Sequence, residues 1–179
     1  MGKQYRYLTE RDQAFIREQK LFYMASCSGQ EVNLSPKGYD SIRVIDRETL
    51  VYMDYPGSGN RTARDIAAGG EVTVVFNAFE GKPKILRLFC KGELINPEHP
   101  EFGTLATAFN VPLVSLRRLI RLHLYAVESS CGMSVPVMRY EEDRNELRDW
   151  AVKKGTDGSI HDYNRDHATP PDLHNLKEE

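Results

Sequence analysis

At 179 residues the chain is long enough for one domain with a real core, or one domain carrying a terminal extension, and two independent domains would be a squeeze. A net charge of −2 with 28% charged residues excludes a general binder of nucleic acid or of anionic membrane surface, which carries a basic excess. The start MGKQYRYLTERDQ lacks the apolar core of a secretory leader and no later stretch is apolar for long enough to span a bilayer, so a soluble cytoplasmic protein is expected.

Thr9 to Lys20 reads as a helix, with Thr9 as cap, Asp12 at the N3 position of a capping box, and Ala14, Phe15 and Ile16 on its apolar face. The pattern then changes to short β-branched and aromatic runs: LFYMAS (21–26), VNLS (32–35), SIRVI (41–45) and LVYMD (50–54), separated by SGQE, PKGYD and DRET. Spacings this short leave no room for a crossover helix, so these strands pair antiparallel. NRTARDIAA (60–68) reads as a short helix stopped by Gly69-Gly70. Two strands follow, EVTVVFNAF (71–79) and KILRLFCKGELI (84–95), then a helix at about 98–109 and a strand RLHLYAVESS (121–130). After Glu141 the chain is polar and helical, EEDRNELRDWAVKKG, and HATPPDLHNLKEE reads as a poorly ordered tail. The whole predicts a mainly β barrel over residues 1–140 with peripheral helices, and a C-terminal helical extension with a flexible tail over 141–179.

Three cysteines, Cys27, Cys90 and Cys131, are far apart with no C-x-x-C pair and read as reduced, mostly buried thiols. The five histidines show no metal-ligand spacing, so no structural zinc is expected. The basic run LRRLIRLH (116–123) interleaves apolar residues as a half-buried strand does, which outweighs an RNA-binding reading. Trp150 reads as a packing anchor.

The stretch YMDYPGSGNRTARDI (52–66) carries the strongest chemical signal. Gly57-Ser58-Gly59-Asn60-Arg61-Thr62 reads G-x-G-x-x-T between a strand and a helix, one residue short of the dinucleotide fingerprint. Glycines let an anion approach the backbone, and Arg61 adds a charged fork. The Rossmann context is missing, because the preceding strands are antiparallel and the third glycine is Thr62. A turn that merely reverses the chain is the plain alternative. VNLSPKGYDSIRVID (32–46) tips the balance toward an anion site, since Ser35, Lys37 and Arg43 lie on chain that neighbours LVYMD, where their cations can converge on the turn.

Taken in order, FYMAS, NLSPKG, VYMDYPGSGNRTARDI and FNAFEGKPKILRLFCKG resemble the pyridoxamine 5′-phosphate oxidase-like, FMN-binding split-barrel family over roughly residues 10–130. SCGMSVP (130–136) is similar to uncharacterised members of that family. The resemblance implies a six-stranded antiparallel split barrel and a homodimer with FMN at the subunit interface. It further implies that Ser58, Asn60, Arg61 and Thr62 grip the FMN phosphate and ribityl chain, with Lys37 and Arg43 against the phosphate; Ser35, on the same stretch as Lys37, is a further candidate for cofactor binding. Asp54 and Tyr55 would lie along the isoalloxazine, and Arg87 would be a cation near the ring. The authentic oxidase ends in a Trp-rich segment and an R-L-H-D-R signature, and this chain has neither; Arg121-Leu122-His123 repeats only three letters, in mid-strand. The expected activity is therefore an FMN-dependent oxidoreductase acting on an unknown small molecule. A deazaflavin or haem in the same barrel, or a flavin-binding sensor without turnover, are the alternatives.

Overall fold

The computed structural model describes residues 2–29 and 31–174. Its strands are β1 (Lys3–Tyr5), β2 (Phe22–Cys27), β3 (Asn33–Lys37), β4 (Ile42–Val44), β5 (Thr49–Asp54), β6 (Glu71–Asn77), β7 (Ile85–Ile95) and β8 (Arg118–Ser130). The helices are α1 (Glu10–Glu18), α2 (Arg61–Ala67), α3 (Phe102–Ala106), α4 (Glu146–Thr156) and α5 (Ile160–Asp166), with a 3₁₀ turn at Leu113–Ser115.

Every strand pair is antiparallel, in the order β3-β2-β6-β7-β8-β5-β4, with β1 added against β8. The described sheet thus has eight strands against the six of the family pattern; β1 and β4 are three residues each. β3 and β4 lie at opposite edges of this order, yet only residues 38–41 separate them. A linker of that length reaches at most about 3.6 Å per residue. The sheet therefore curls until its two edges nearly meet, which makes it a barrel split along one seam.

Two apolar clusters flank the barrel wall. Met24, Leu50, Tyr52, Phe76, Leu86, Leu88 and Leu122 form part of one; Val51, Met53, Ile95, Phe102, Phe109 and Leu119 form part of the other, under α3 and α4. Successive strand residues point to opposite faces, so LVYM in β5 is apolar throughout because both of its faces are covered.

α1 begins as expected: Thr9 Oγ1 accepts from the Asp12 N–H at 3.2 Å, and the Asp12 carboxylate accepts from the Thr9 N–H at 3.1 Å. Asp12 is buried, and it also takes Tyr5 Oη and Lys84 Nζ, each at 2.8 Å, tying α1 to β1 and to the start of β7. α2 ends where expected, Gly69 adopting φ +77°.

Two expectations are corrected. The helix expected at 98–109 is only α3, because Pro100 disfavours helical conformation at His99 and lacks an N–H. Of the thiols, only Cys90 is buried, which pushes its pKa up to about 12; Cys27 is half-buried and Cys131, just past the end of β8, is exposed. In the stretch read as a poorly ordered tail, Pro170 is buried and the Ala168 and Pro171 carbonyls accept from Asn60 and Arg61, while residues 175–179 lie outside the described ones. Trp150 packs edge-on against Tyr163 at 4.7 Å, and α4 runs beside the 3₁₀ turn, with the Gly155 backbone against Val114.

The LRRLIRLH run is strand from Arg118 on, and its cations are engaged inside the protein. Arg118 faces Asp54 at 3.6 Å, and Arg121 pairs with Glu93 at 3.0 Å and Glu101 at 2.8 Å. No helix among the described residues is long and apolar enough to cross a membrane.

Candidate functional site

A cavity of about 340 Å³ opens at the seam, within the range of small-molecule sites of about 300–1,000 Å³. β3 brings Ser35 and Lys37 to it, the reversal brings Tyr39 and Ser41, and β5 brings Tyr52 and Asp54. Tyr55 to Ala63 form its far side, and Leu147 of α4 closes one end. Ser35, Lys37, Asp54, Tyr55, Ser58, Asn60, Arg61 and Thr62, separate in sequence, are thus brought to one place. Tyr39 and Asp40 hold φ of +61° and +51°, a left-handed reversal that joins the two edges beside the cavity. Tyr39 meets Tyr55 edge-on at 5.7 Å, and the Arg148 guanidinium lies over the Tyr39 ring at 5.2 Å.

Arg43 and Arg87 lie outside the cavity. Arg43 donates to the carbonyls of Asp40, Ile42 and Ala108 at 2.7–3.0 Å and pairs with the Asp40 carboxylate at 2.7 Å, so its fork braces the reversal instead. Arg87 reaches Glu128 and Ser130 Oγ, both at 3.1 Å, across the β7–β8 ladder.

Within the turn, much of the side-chain capacity is already used. Asn60 Nδ2 donates to the Ala168 carbonyl at 2.5 Å, and Thr62 Oγ1 accepts from Asn33 at 2.9 Å. Arg61 donates to Glu31 at 2.9 Å and to the Pro171 carbonyl at 3.1 Å. α2 has seven residues, and its N-cap, Asn60, makes no side-chain capping hydrogen bond. The group left for a ligand is a different one. The Lys37 ammonium lines the cavity and makes no hydrogen bond or ion pair among the described residues, lying 5.7 Å from the Tyr52 ring centroid; the Tyr55 hydroxyl, also without a hydrogen-bond partner among them, is buried away from the open space. A buried hydroxyl left unpaired costs about 1–3 kcal/mol.

Gly57 and Gly59 also favour an occupant. Neither has a left-handed φ, and a Cβ at either would meet no atom within 4 Å, so the fold itself does not demand glycine at these positions. What their missing side chains leave is open backbone on the cavity wall.

The charges are biased toward an anion. Burial lowers the Lys37 pKa, with Asp54 opposing and Arg117 reinforcing the shift. Burial raises the Asp54 carboxyl, against Lys37, Arg117 and Arg118. Three cations thus surround one carboxyl that is itself drawn toward its neutral form. Arg117 and the C-terminal contacts were not legible in the sequence: nothing in LRRLIRLH marks which arginine turns inward, and nothing in the tail marks which carbonyls reach the turn.

Fold and site together define an antiparallel split barrel with a cavity at its seam, lined by Lys37, Asp54 and the glycine-rich turn. The pyridoxamine 5′-phosphate oxidase family profile matches residues 8–131, and the chain belongs to that family. It is 33% identical over 139 residues to the pyridoxamine 5′-phosphate oxidase family protein ustO of Aspergillus flavus, covering 75% of this chain and 56% of the relative; the chain thus spans about half that relative's length. Among solved structures, it resembles a candidate pyridoxamine 5′-phosphate oxidase of Lactobacillus delbrueckii at 20% identity and TM-score 0.53, covering 68% of this chain and 93% of that one. It also resembles HupZ of Group A Streptococcus at 16% identity and TM-score 0.52, covering 67% and 92%. At these identities the structural likenesses establish the fold.

Proposed function

We propose that the chain is a flavoprotein, an FMN-dependent oxidoreductase exchanging hydride with a small molecule, and that it works as a homodimer with FMN at the subunit interface. The observation that carries this reading is the convergence in one cavity of a Lys37 ammonium with no hydrogen bond or ion pair among the described residues and the open backbone of Gly57 and Gly59. The family supports a flavin as the ligand.

When bound, FMN supplies reversible hydride transfer, and the protein supplies binding, orientation and electrostatics. Lys37 would compensate the phosphate charge, and Ser35, Ser58 and the turn backbone would orient the ribityl phosphate. Tyr39, Tyr52 and Tyr55 would exclude water along the wall. Asp54, drawn toward its protonated form, would hold a proton at the cavity. Arg43 and Arg87 drop out of the proposed set, because their donors are engaged elsewhere.

The absorption spectrum of the purified protein, before and after incubation with FMN, tests this. A flavin spectrum that persists through gel filtration is expected; protein that stays colourless overturns the reading. Mass spectrometry of the extracted ligand reads a deazaflavin or haem in its place. Reduction of the bound flavin by a candidate donor separates an enzyme from a sensor.

A further inference from the structure

The basic run LRRLIRLH contributes a residue that neither the family resemblance nor the cavity lining reveals. Arg117 is 4% exposed and stands immediately before β8, its N–H donating to the Asp54 carbonyl at 3.1 Å. Its guanidinium runs beneath the glycine-rich turn. Nη2 donates to the Gly57 carbonyl, Nη1 to the Gly59 carbonyl at 3.2 Å and to Asn60 Oδ1 at 3.4 Å, and Nε to Asn164 Oδ1 of α5 at 3.2 Å. All four acceptors are neutral oxygens, and no carboxylate pairs with Arg117 among the described residues. A guanidinium hydrogen-bonded only to neutral acceptors, with the Asp54 carboxyl acting on it through space without a direct ion pair, keeps much of its positive field at the turn.

The consequence for the turn follows from peptide geometry. The chain has no cis peptide among the described residues, and in a trans peptide the C=O and the following N–H point in opposite directions. Drawing the carbonyls of Gly57 and Gly59 toward Arg117 therefore turns the N–H groups of Ser58 and Asn60 away from it. Those two N–H groups donate to no acceptor among the described residues, and both residues line the cavity. The Lys37 ammonium, which makes no hydrogen bond or ion pair among the described residues, lines the same cavity and points independently to an anionic ligand.

We propose that Arg117 is a positioning residue: by holding the Gly57 and Gly59 carbonyls it presents the Ser58 and Asn60 amides as paired donors to a phosphate group, and so sets the preference of the site for a phosphorylated ligand over its dephosphorylated form. The two-amide cradle works for any phosphate monoester; that the ligand is FMN rests on the reading above. Lysine keeps the charge but cannot hold two carbonyls in a fixed fork.

The test compares wild type, Arg117→Lys and Arg117→Met for binding of FMN and of riboflavin, by flavin fluorescence. Both variants are expected to weaken FMN binding by about 10-fold or more, while riboflavin binding changes by less than about 3-fold. Equal loss of both ligands means a merely structural role, and wild-type behaviour of Arg117→Lys means that charge alone matters; either overturns the proposal. If wild type binds neither flavin, the flavin reading fails, and amide exchange with inorganic phosphate still decides the role of Arg117. Slowed exchange at Ser58 and Asn60 in wild type but not in Arg117→Met upholds it, and no slowing in wild type refutes it.

Discussion

Asn60 donates its side-chain amide to the Ala168 carbonyl at 2.5 Å, so the turn that carries the candidate site is closed on one side by chain 108 residues further on. The neighbouring Arg61 reaches the Pro171 carbonyl, and the intervening Pro170 is buried. Ala168 to Pro171 therefore strap the turn. Pro170→Asp, which puts a charge at the buried anchor, is expected to expose the turn to protease near Arg61 and to weaken FMN binding several-fold. A lost hydrogen bond of about 0.5–1.5 kcal/mol corresponds to that change. Limited proteolysis and flavin titration check it.

Lys37→Ala is expected to lose FMN while staying folded, since a charge-assisted contact of about 1.5–3 kcal/mol disappears. The pH dependence has a definite sign. Burial places the Lys37 pKa below its ordinary value in the free protein, and an anion stabilises the charged form. Affinity for FMN is thus full while Lys37 is protonated and falls as pH rises through that lowered pKa, earlier than an exposed lysine would allow. Lys37→Arg, which stays charged, flattens the alkaline fall in a titration series.

Asp54 gives a pH signature of the same sign, in stability. Its folded-state pKa lies above the model-peptide value of 3.8 because burial disfavours the carboxylate, so the folded state holds the proton more tightly. Its contribution is present below the unfolded pKa and is lost as pH rises through the raised folded value. Subtracting the Asp54→Asn stability profile from wild type, measured by urea unfolding from pH 3 upward, should show that loss; a flat difference contradicts it.

Asp12 is the test of the frame that holds the barrel's first helix. Burial opposes its charge, but hydrogen bonds from Lys84, Thr9 and Tyr5 outweigh that and keep its carboxyl below the usual range. Its stabilisation is therefore complete above the unfolded pKa and lost as pH falls through the folded one. Asp12→Ala strands Lys84 and the Tyr5 hydroxyl together and is expected to cost about 2–4 kcal/mol in chemical denaturation at neutral pH.

Arg43 and Arg87 serve as controls. Arg43→Ala and Arg87→Ala are expected to leave FMN affinity within about 2-fold of wild type, the first at some cost in stability because it frees the Asp40 reversal. Loss of FMN from either variant would return that arginine to the site.

The sequence by itself determined the local and the periodic features. Strand alternation, the Thr9–Asp12 capping box, the Gly69 helix stop and spacings too short for crossovers each depend on residues close together in the chain, and all appear where the pattern put them. The turn at 57–62 and Lys37 were legible as one site because β5 and the SPKG segment are near neighbours in sequence. Tertiary structure alone decided what the long-range closure brings together: β3 and β4 at opposite sheet edges yet four residues apart, Arg117 of the three clustered arginines turned inward, and Ala168 to Pro171 laid across the turn. α5 and the contacts of Ala168, Pro170 and Pro171 were not legible for the same reason. Their residues are polar and carry no periodic apolar face, so their order comes from partners supplied by the barrel, and a short-range reading has no access to those partners.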